Sequence, residues 1–404
     1  MIPFSPPRID DKIIDEVVDT LRTGWISTGP KTKRFEKELS AYYGAPATLC
    51  LNSATAGLEI MLRWFGVTEG DEVILPAYTY SSTANVVIHC GATPVFVDVA
   101  ADFNIVVANI EKAITARTKV VMPVDFAGFP CDYDAINELV NRAEIKAHFN
   151  AATEEQQTLG RIMVLADAAH SIGATYKGKK TGILADASVF SFHAVKNLTT
   201  AEGGAIAFNL PAPFDNEQLY RDLCIKTLHG QTKDALAKMQ PGNWKYDIIE
   251  AGYKFNMTDI AASIGLVELA RYEDDMLPKR RLIFDYYTER LSQYTWAQLP
   301  VAKTADKETS YHLYPLRIKG ITEAQRDDIM QLIFAKGVSV NVHFIPVPGL
   351  SYYKKLGYNV HDYPVAYDNF SREISLPVFY NLTAEQMKTV ADVVVEVVEG
   401  FLGR

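Results

Sequence analysis

Four short stretches of this 404-residue chain place reactive or ligand-holding side chains just after apolar, strand-like runs. Lys196 stands in SFHAVKNLTTAEGG (191–204), beyond the run SVFSF (188–192). A lysine there is either a solvated surface group or, once desolvated, a nucleophile of lowered pKa. Asp167 follows RIMVLA (161–166), and a carboxylate at a buried strand end needs a cationic ring nitrogen, an arginine or a metal as its partner. No His/Asp/Glu cluster at ligand spacing accompanies it, which speaks against metal. Tyr80 follows EVILP (72–76) and is either core or a ring face for a ligand. After ATLCL (47–51) the segment NSATAGLEIML opens a helix. The amides of Ala54 and Thr55, the helix dipole and the Thr55 hydroxyl can hold a phosphate there, although an ordinary cap accounts for the threonine equally well.

Each signal is weak alone, but the set has one chemistry in common. A phosphate cradle, a ring to stack on, a carboxylate and a lysine are what pyridoxal phosphate requires for its phosphate, ring face, pyridinium nitrogen and aldehyde. Two other readings fail. GATYKGKKTG (173–182) comes close to the phosphate-loop pattern, yet Lys180 replaces the hydroxyl residue and no strand precedes the first glycine. No GxGxxG follows a strand, so the simplest dinucleotide site is absent.

The elements that must position these residues are legible as alternation. Short β-branched runs, with TPVFVDV (93–99), KVVMPV (119–124) and AIAF (205–208) completing the set, alternate with helical patterns, as in a mostly parallel sheet between helices. Near Ile260 the texture changes to one long helical pattern, and a mixed segment follows, ending in AEQMKTVADVVVEVVEGFL. The expected architecture is a large α/β domain over residues 1–260, then a connecting helix and a small C-terminal α/β domain over 261–404. The polar segment 141–160 exceeds the usual helix-to-strand connection and reads as a surface helix or insertion in preference to a lid.

Composition is that of a globular protein, with 48% hydrophobic and 22% charged residues. The net charge of -9 argues against nucleic acid and anionic membranes as partners. Cys50, Cys90, Cys131 and Cys224 are widely spaced and read as reduced thiols. No secretory leader or membrane span is legible, so a cytoplasmic protein is expected and the Asn-x-Ser/Thr matches at Asn197, Asn256, Asn369 and Asn381 are incidental.

The runs GWISTGP (24–30), SATAGLEIML (53–62), PAYTYSSTANVV (76–87), DAAHSIGATYKG (167–178), SFHAVKNLTTAEGG and GYKFNMTDIAASIGLVEL (252–269) resemble the sugar-nucleotide aminotransferases of the DegT-like branch. The C-terminal YYKKLGY…YPVAYDNFSREISLPVFYNLT fits that family's tail, so the likeness spans the chain. Within the branch the sequence is most similar to the UDP-4-amino-4-deoxy-L-arabinose–oxoglutarate aminotransferases. The resemblance implies the aspartate-aminotransferase-like fold type I, with a seven-stranded sheet. It makes Lys196 the Schiff-base lysine and catalytic acid/base, Asp167 the partner of the pyridine nitrogen and Tyr80 the stacking ring. His170, where many relatives carry glutamine, would contact the phenolic oxygen, and Ala54, Thr55 and Ser191 would hold the phosphate. It also implies a homodimer with shared sites, in which Lys254 or Asn256 reaches the neighbour's cofactor and Trp25 and Thr28 lie near the sugar nucleotide. Three departures stand out: Ala166 where relatives carry glutamate, the long 141–160 segment, and HFIPVPG (343–349) without a histidine after its IP dipeptide.

The implied reaction moves an amino group from glutamate, giving 2-oxoglutarate, to the 4-keto carbon of a nucleotide-linked sugar, UDP being the expected carrier. Such products feed lipopolysaccharide, capsule or glycan synthesis. Alternatives are 3-amination, a 3-dehydratase, a non-catalytic cofactor-binding regulator, or a nucleotide-sugar binding protein without cofactor. The related dehydratases carry histidine at the lysine position, so Lys196 argues against that one.

Overall fold

The computed structural model describes residues 1–233 and 245–403. Its centre is a seven-stranded sheet. The strands in chain order are β1 (Ala47–Leu51), β2 (Glu72–Pro76), β3 (Thr93–Val97), β4 (Thr118–Val121) and β5 (Met163–Asp167). A small hairpin of β6 (Thr175–Tyr176) and β7 (Lys179–Lys180) lies outside it, and β8 (Ala187–Ser191) and β9 (Gly204–Phe208) complete it. All of these sheet strands except β3 are buried at every position, as their continuous apolar runs require for a sheet covered on both faces. The spatial order is β1-β9-β8-β5-β4-β2-β3. Only β9 runs against the rest, pairing antiparallel with β1 and β8. The carboxyl ends of β1, β2, β5 and β8 therefore meet at one edge, where the amino end of β9 also arrives.

Among the helices, α1 covers Asp11–Thr23, α2 Pro30–Tyr43, α3 Ala54–Trp64 and α4 Ser81–His89. Ser53 caps α3, accepting from the Ala56 N–H at 3.1 Å. Helix α3 lies so close to the sheet that a Cβ on Gly57 would sit 2.8 Å from the Val189 side chain.

The long helical pattern after Ile260 is broken in the structure. One helix runs Asp259–Ala270, a wider π-type turn spans Tyr272–Met276, and a second helix runs Leu277–Leu291. Pro278 explains the restart, because a proline without an N–H is tolerated only in a first turn. Beyond it, β10 (Ala297–Gln298), β12 (Tyr314–Ile318) and β13 (Glu373–Leu376) form a three-stranded antiparallel sheet, while β11 (Lys307–Glu308) joins β6. That small sheet shares an apolar core with the helix Ala384–Leu402, and Ile2 joins this core through a bridge to Val338.

Two ambiguous stretches now have places. Residues 141–160 form the short helices Ala143–His148 and Glu154–Leu159. They pack on the far end of α3, where Gln156 Nε2 donates to the Phe65 carbonyl at 2.8 Å and Phe149 stacks on the Phe65 ring. Phe65 is eleven residues past the cavity end of that helix, ~16 Å at the helical rise, so the segment does not cover the cavity. The phosphate-loop lookalike is the β6–β7 hairpin, with Lys177 and Gly178 both at positive φ as a tight two-residue turn demands.

Candidate active site

The sheet edge where the strand ends meet opens into a cavity of about 480 Å³, within the range of small-molecule sites. Its lining contains Ala54, Thr55, Tyr80, Asp167, His170, Ser191 and Lys196. Each reaches it by the topology above. Ala54 and Thr55 open α3 after β1, Tyr80 precedes α4 after β2, Asp167 ends β5, His170 follows it, Ser191 ends β8 and Lys196 lies in the loop from β8 to β9.

Asp167 is 4% exposed. Its Oδ2 accepts from the Thr83 hydroxyl at 2.8 Å and its Oδ1 from the Ala169 N–H at 3.2 Å. Burial pushes its pKa up, and those two donors and the Lys196 charge pull against it. Burial likewise lowers the Lys196 pKa, to about 8, with the Asp167 charge opposing. Lys196 makes no ion pair with any described residue. It is the poised amine that nucleophilic chemistry needs. His170 is held well below the usual histidine pKa by burial, then by Lys196, and its buried Nδ1 lacks a hydrogen-bond partner. An orphaned polar atom in a cavity wall is a place for a ligand atom.

The cavity reaches the amino end of α3. Gly204 lets β9 pass against the start of α3: a Cβ there would lie 2.4 Å from the Ala54 nitrogen. Any side chain would lift the strand off the helix end whose amides and dipole favour an anion. Ser191 sits beside this end with its hydroxyl within 3.4 Å of the His193 N–H. Tyr80 is 60% exposed, its ring 5.6 Å from that of Phe344. Helix end, free ring, buried carboxylate, lysine and unpartnered histidine nitrogen together fit a flat, phosphate-bearing aldehyde.

Trp25, Thr28, Lys254 and Asn256 lie outside the lining formed by a single chain. Asn256 Nδ2 donates to the Thr28 hydroxyl at 2.5 Å, and Trp25 Nε1 donates to the Thr28 carbonyl at 3.1 Å. Lys254 is exposed, and its carbonyl accepts from Asn52 Nδ2 at 3.3 Å, next to the α3 cap. Sequence reasoning missed Thr83 and the cavity-lining His312, His343, Phe344 and Phe4. Thr83 stands one turn into the helix after Tyr80, so a strand-end carboxylate could have prompted a search for that donor. The others come from the small sheet's surroundings and the N-terminal segment, with no local signal.

The family described as the DegT/DnrJ/EryC1/StrS aminotransferases matches residues 7–395. The spore coat polysaccharide biosynthesis protein SpsC of Bacillus subtilis is 38% identical over 406 residues, which is 99% of this chain and 97% of that protein. Spr1654 of Streptococcus pneumoniae, assigned as a sugar aminotransferase, superimposes in its PMP form with a TM-score of 0.95 at 46% identity, covering 99% of this chain and 100% of that one. Its PLP form gives 0.94 at 45%, with 99% of each chain covered. PseC of Helicobacter pylori, an aminotransferase involved in the biosynthesis of pseudoaminic acid, gives 0.87 at 28%, again over 99% of each chain. With the cavity's geometry, these likenesses place the chain in the DegT/DnrJ/EryC1/StrS family, as a sugar aminotransferase that uses pyridoxal phosphate.

Proposed function

We propose that the protein transfers the amino group of glutamate to the 4-keto carbon of a UDP-linked sugar, in the synthesis of a surface polysaccharide or glycan such as lipopolysaccharide or capsule. The observation that carries the cofactor roles is the convergence of Lys196, Asp167, Tyr80 and His170 on one cavity beside the α3 amino end. The printed roles of SpsC and PseC in polysaccharide and pseudoaminic acid biosynthesis support the substrate class.

Pyridoxal phosphate supplies an aldehyde that accepts the amino group and a ring that draws electrons from the reacting carbon. The chain supplies the rest. Amides of Ala54 and Thr55 and the hydroxyl of Ser191 bind the phosphate, while Tyr80 covers one ring face. The Asp167 carboxylate, oriented by Ala169 and Thr83, would hold a proton on the ring nitrogen. His170 Nδ1 takes the phenolic oxygen. Lys196 Nζ, neutral in part near pH 8, takes the proton from the donor's α-carbon and returns one to the sugar carbon. In a homodimer, Lys254 or Asn256 reaches the neighbour's cofactor, and Trp25 and Thr28 flank the sugar nucleotide. Residues 1–260 and 261–404 act as the two domains, in a cytoplasmic enzyme.

The purified protein with pyridoxal phosphate should be yellow, and borohydride should fix the cofactor to Lys196. Lys196→Ala should abolish that fixation. Glutamate should then bleach the colour to the pyridoxamine form, and a panel of nucleotide keto-sugars should restore it. A protein that stays colourless refutes the reading; one that is yellow but inert to glutamate and keto-sugars points to a cofactor-binding regulator.

A further inference from the structure

The cavity that Lys196 lines is also lined by His343, which belongs to a second chain of proton-bearing groups. The pairing of Asn341 with Ser375 sets their neighbours two residues away, His343 and Glu373, opposite each other. His343 is fixed at four points. Its N–H donates to Glu373 Oε2 at 3.0 Å, its carbonyl accepts from the Tyr78 hydroxyl at 2.5 Å, its Nδ1 meets Ser375 Oγ at 2.9 Å, and Phe4 stacks on its ring at 5.4 Å. Ser375 Oγ in turn bonds Glu373 Oε1. Glu373 and Ser375 are completely buried, while His343 lines the cavity. The ring's other nitrogen, Nε2, is paired with Asn341 Nδ2 at 3.4 Å, a long bond at the edge of the cavity-lining ring that an incoming oxygen would displace.

We propose that Glu373, Ser375 and His343 form a proton relay serving the sugar half of the reaction, with His343 Nε2 exchanging protons with the reacting keto group and Glu373 storing them. This rests on the reading of the protein as a keto-sugar aminotransferase. Replacing a keto oxygen by nitrogen moves two protons: both leave the amino nitrogen and both end on departing water. In each passage the carbonyl oxygen takes the Nε2 proton, Nδ1 takes the Ser375 hydroxyl proton, and Ser375 Oγ takes the Glu373 Oε1 proton. The amino nitrogen then returns a proton to Nε2, and the chain runs backwards to recharge Glu373. After the second passage the C–O bond breaks and water leaves, and no charge rests on the imidazole. Lys196 remains free for the proton on carbon.

The surroundings suit this. Burial and the Lys196 charge lower the His343 pKa to about 3, so the ring changes tautomer in preference to becoming cationic. Burial raises Glu373 to about 8, with Ser375, the His343 N–H, Arg326 and Arg317 opposing. Those two arginines turn their Nη1 groups to the carbonyls of Phe370 and Glu373 and to the Asn369 side chain. Tyr78, His170 and His312 complete the groups around the relay, and burial holds the phenol protonated and both imidazoles neutral.

The test uses holoenzyme labelled with ¹⁵N-histidine. As pH rises through about 8, the His343 Nδ1 signal should move from acceptor-like to N–H-like and Nε2 the opposite way; Ser375→Ala should abolish the exchange and Ser375→Thr should keep it. Stopped-flow spectra then divide the two half-reactions, with glutamate and with UDP-2-acetamido-2,6-dideoxy-4-keto-hexose as probes. Ser375→Ala should slow the sugar half by about 10²-fold, the usual scale of acid–base assistance, and leave the glutamate half within a few-fold. A pH-independent His343 tautomer, or equal loss in both halves, overturns the relay. A wild-type holoenzyme inert to keto-sugars overturns the functional reading instead, and the tautomer measurement still decides whether the three groups exchange protons.

Discussion

At the scale of single residues, the cavity chemistry depends on buried groups whose partners are few. Among the described residues Asp167 has one side-chain donor, Thr83, so Thr83→Val removes that bond with little change of shape. A buried carboxylate that loses a partner costs about 1–3 kcal/mol, so cofactor affinity should fall roughly 10-fold or more in an absorbance titration. Glu373 gives a pH signature. Its folded pKa lies near 8 and its ordinary value is 4.5, so the folded protein keeps a proton that the unfolded chain releases. Wild type should therefore lose stability relative to Glu373→Gln as pH rises between those values, by about 1.4 kcal/mol per pH unit. Urea unfolding of both proteins at several pH values measures the slope. Lys196, Asp167 and Tyr80 were legible in the sequence because each follows a recognisable strand. His343 and His312 were not, because what makes them part of the site is packing against residues more than a hundred positions away.

At the scale of elements, the sequence revealed the sheet strands because both-face burial demands unbroken apolar runs, and ATLCL and EVILP coincide with β1 and β2. It did not reveal the break at 271–276, since the helical periodicity continues through it while Pro278 alone marks the restart. Of the glycine pair 203–204, Gly204 is where β9 passes the first turn of α3 with no room for a side chain. Gly204→Ala would force a methyl against main-chain atoms. Overpacking of this kind costs about 1–3 kcal/mol, so the melting temperature should fall and phosphate affinity should drop with it. Equilibrium dialysis with pyridoxal phosphate checks the second effect. Unchanged affinity would show that β9 does not set the α3 end.

At the scale of the whole molecule, the cavity gathers residues from the sheet edge, the small sheet's neighbourhood and the N-terminal segment through Phe4. The same segment enters the C-terminal core through Ile2. Trp25, Thr28 and Asn256 form their own hydrogen-bonded group beside the α3 cap, outside the lining of one chain. If Asn256 serves the neighbouring subunit, Lys196→Ala and Asn256→Ala proteins should each be nearly inactive. Mixed and reassociated, they should recover activity, because one site of each hybrid dimer is intact. No recovery would assign Asn256 to its own subunit's site.

The single reversed strand also has a consequence for how the chain comes off the ribosome. Within the seven-stranded sheet β1 pairs with β9, Leu51 opposite Gly204 and Ala47 opposite Phe208, and its end also bridges the later Asn256. Until residue 208 has emerged, β1 has no partner on either side and α3 has no strand against its first turn. A nascent chain with the Tyr80 and Asp167 segments already folded would thus hold an incomplete cavity and an apolar ribbon open to stray pairing. Cofactor capture during synthesis should begin only after β9 is in place.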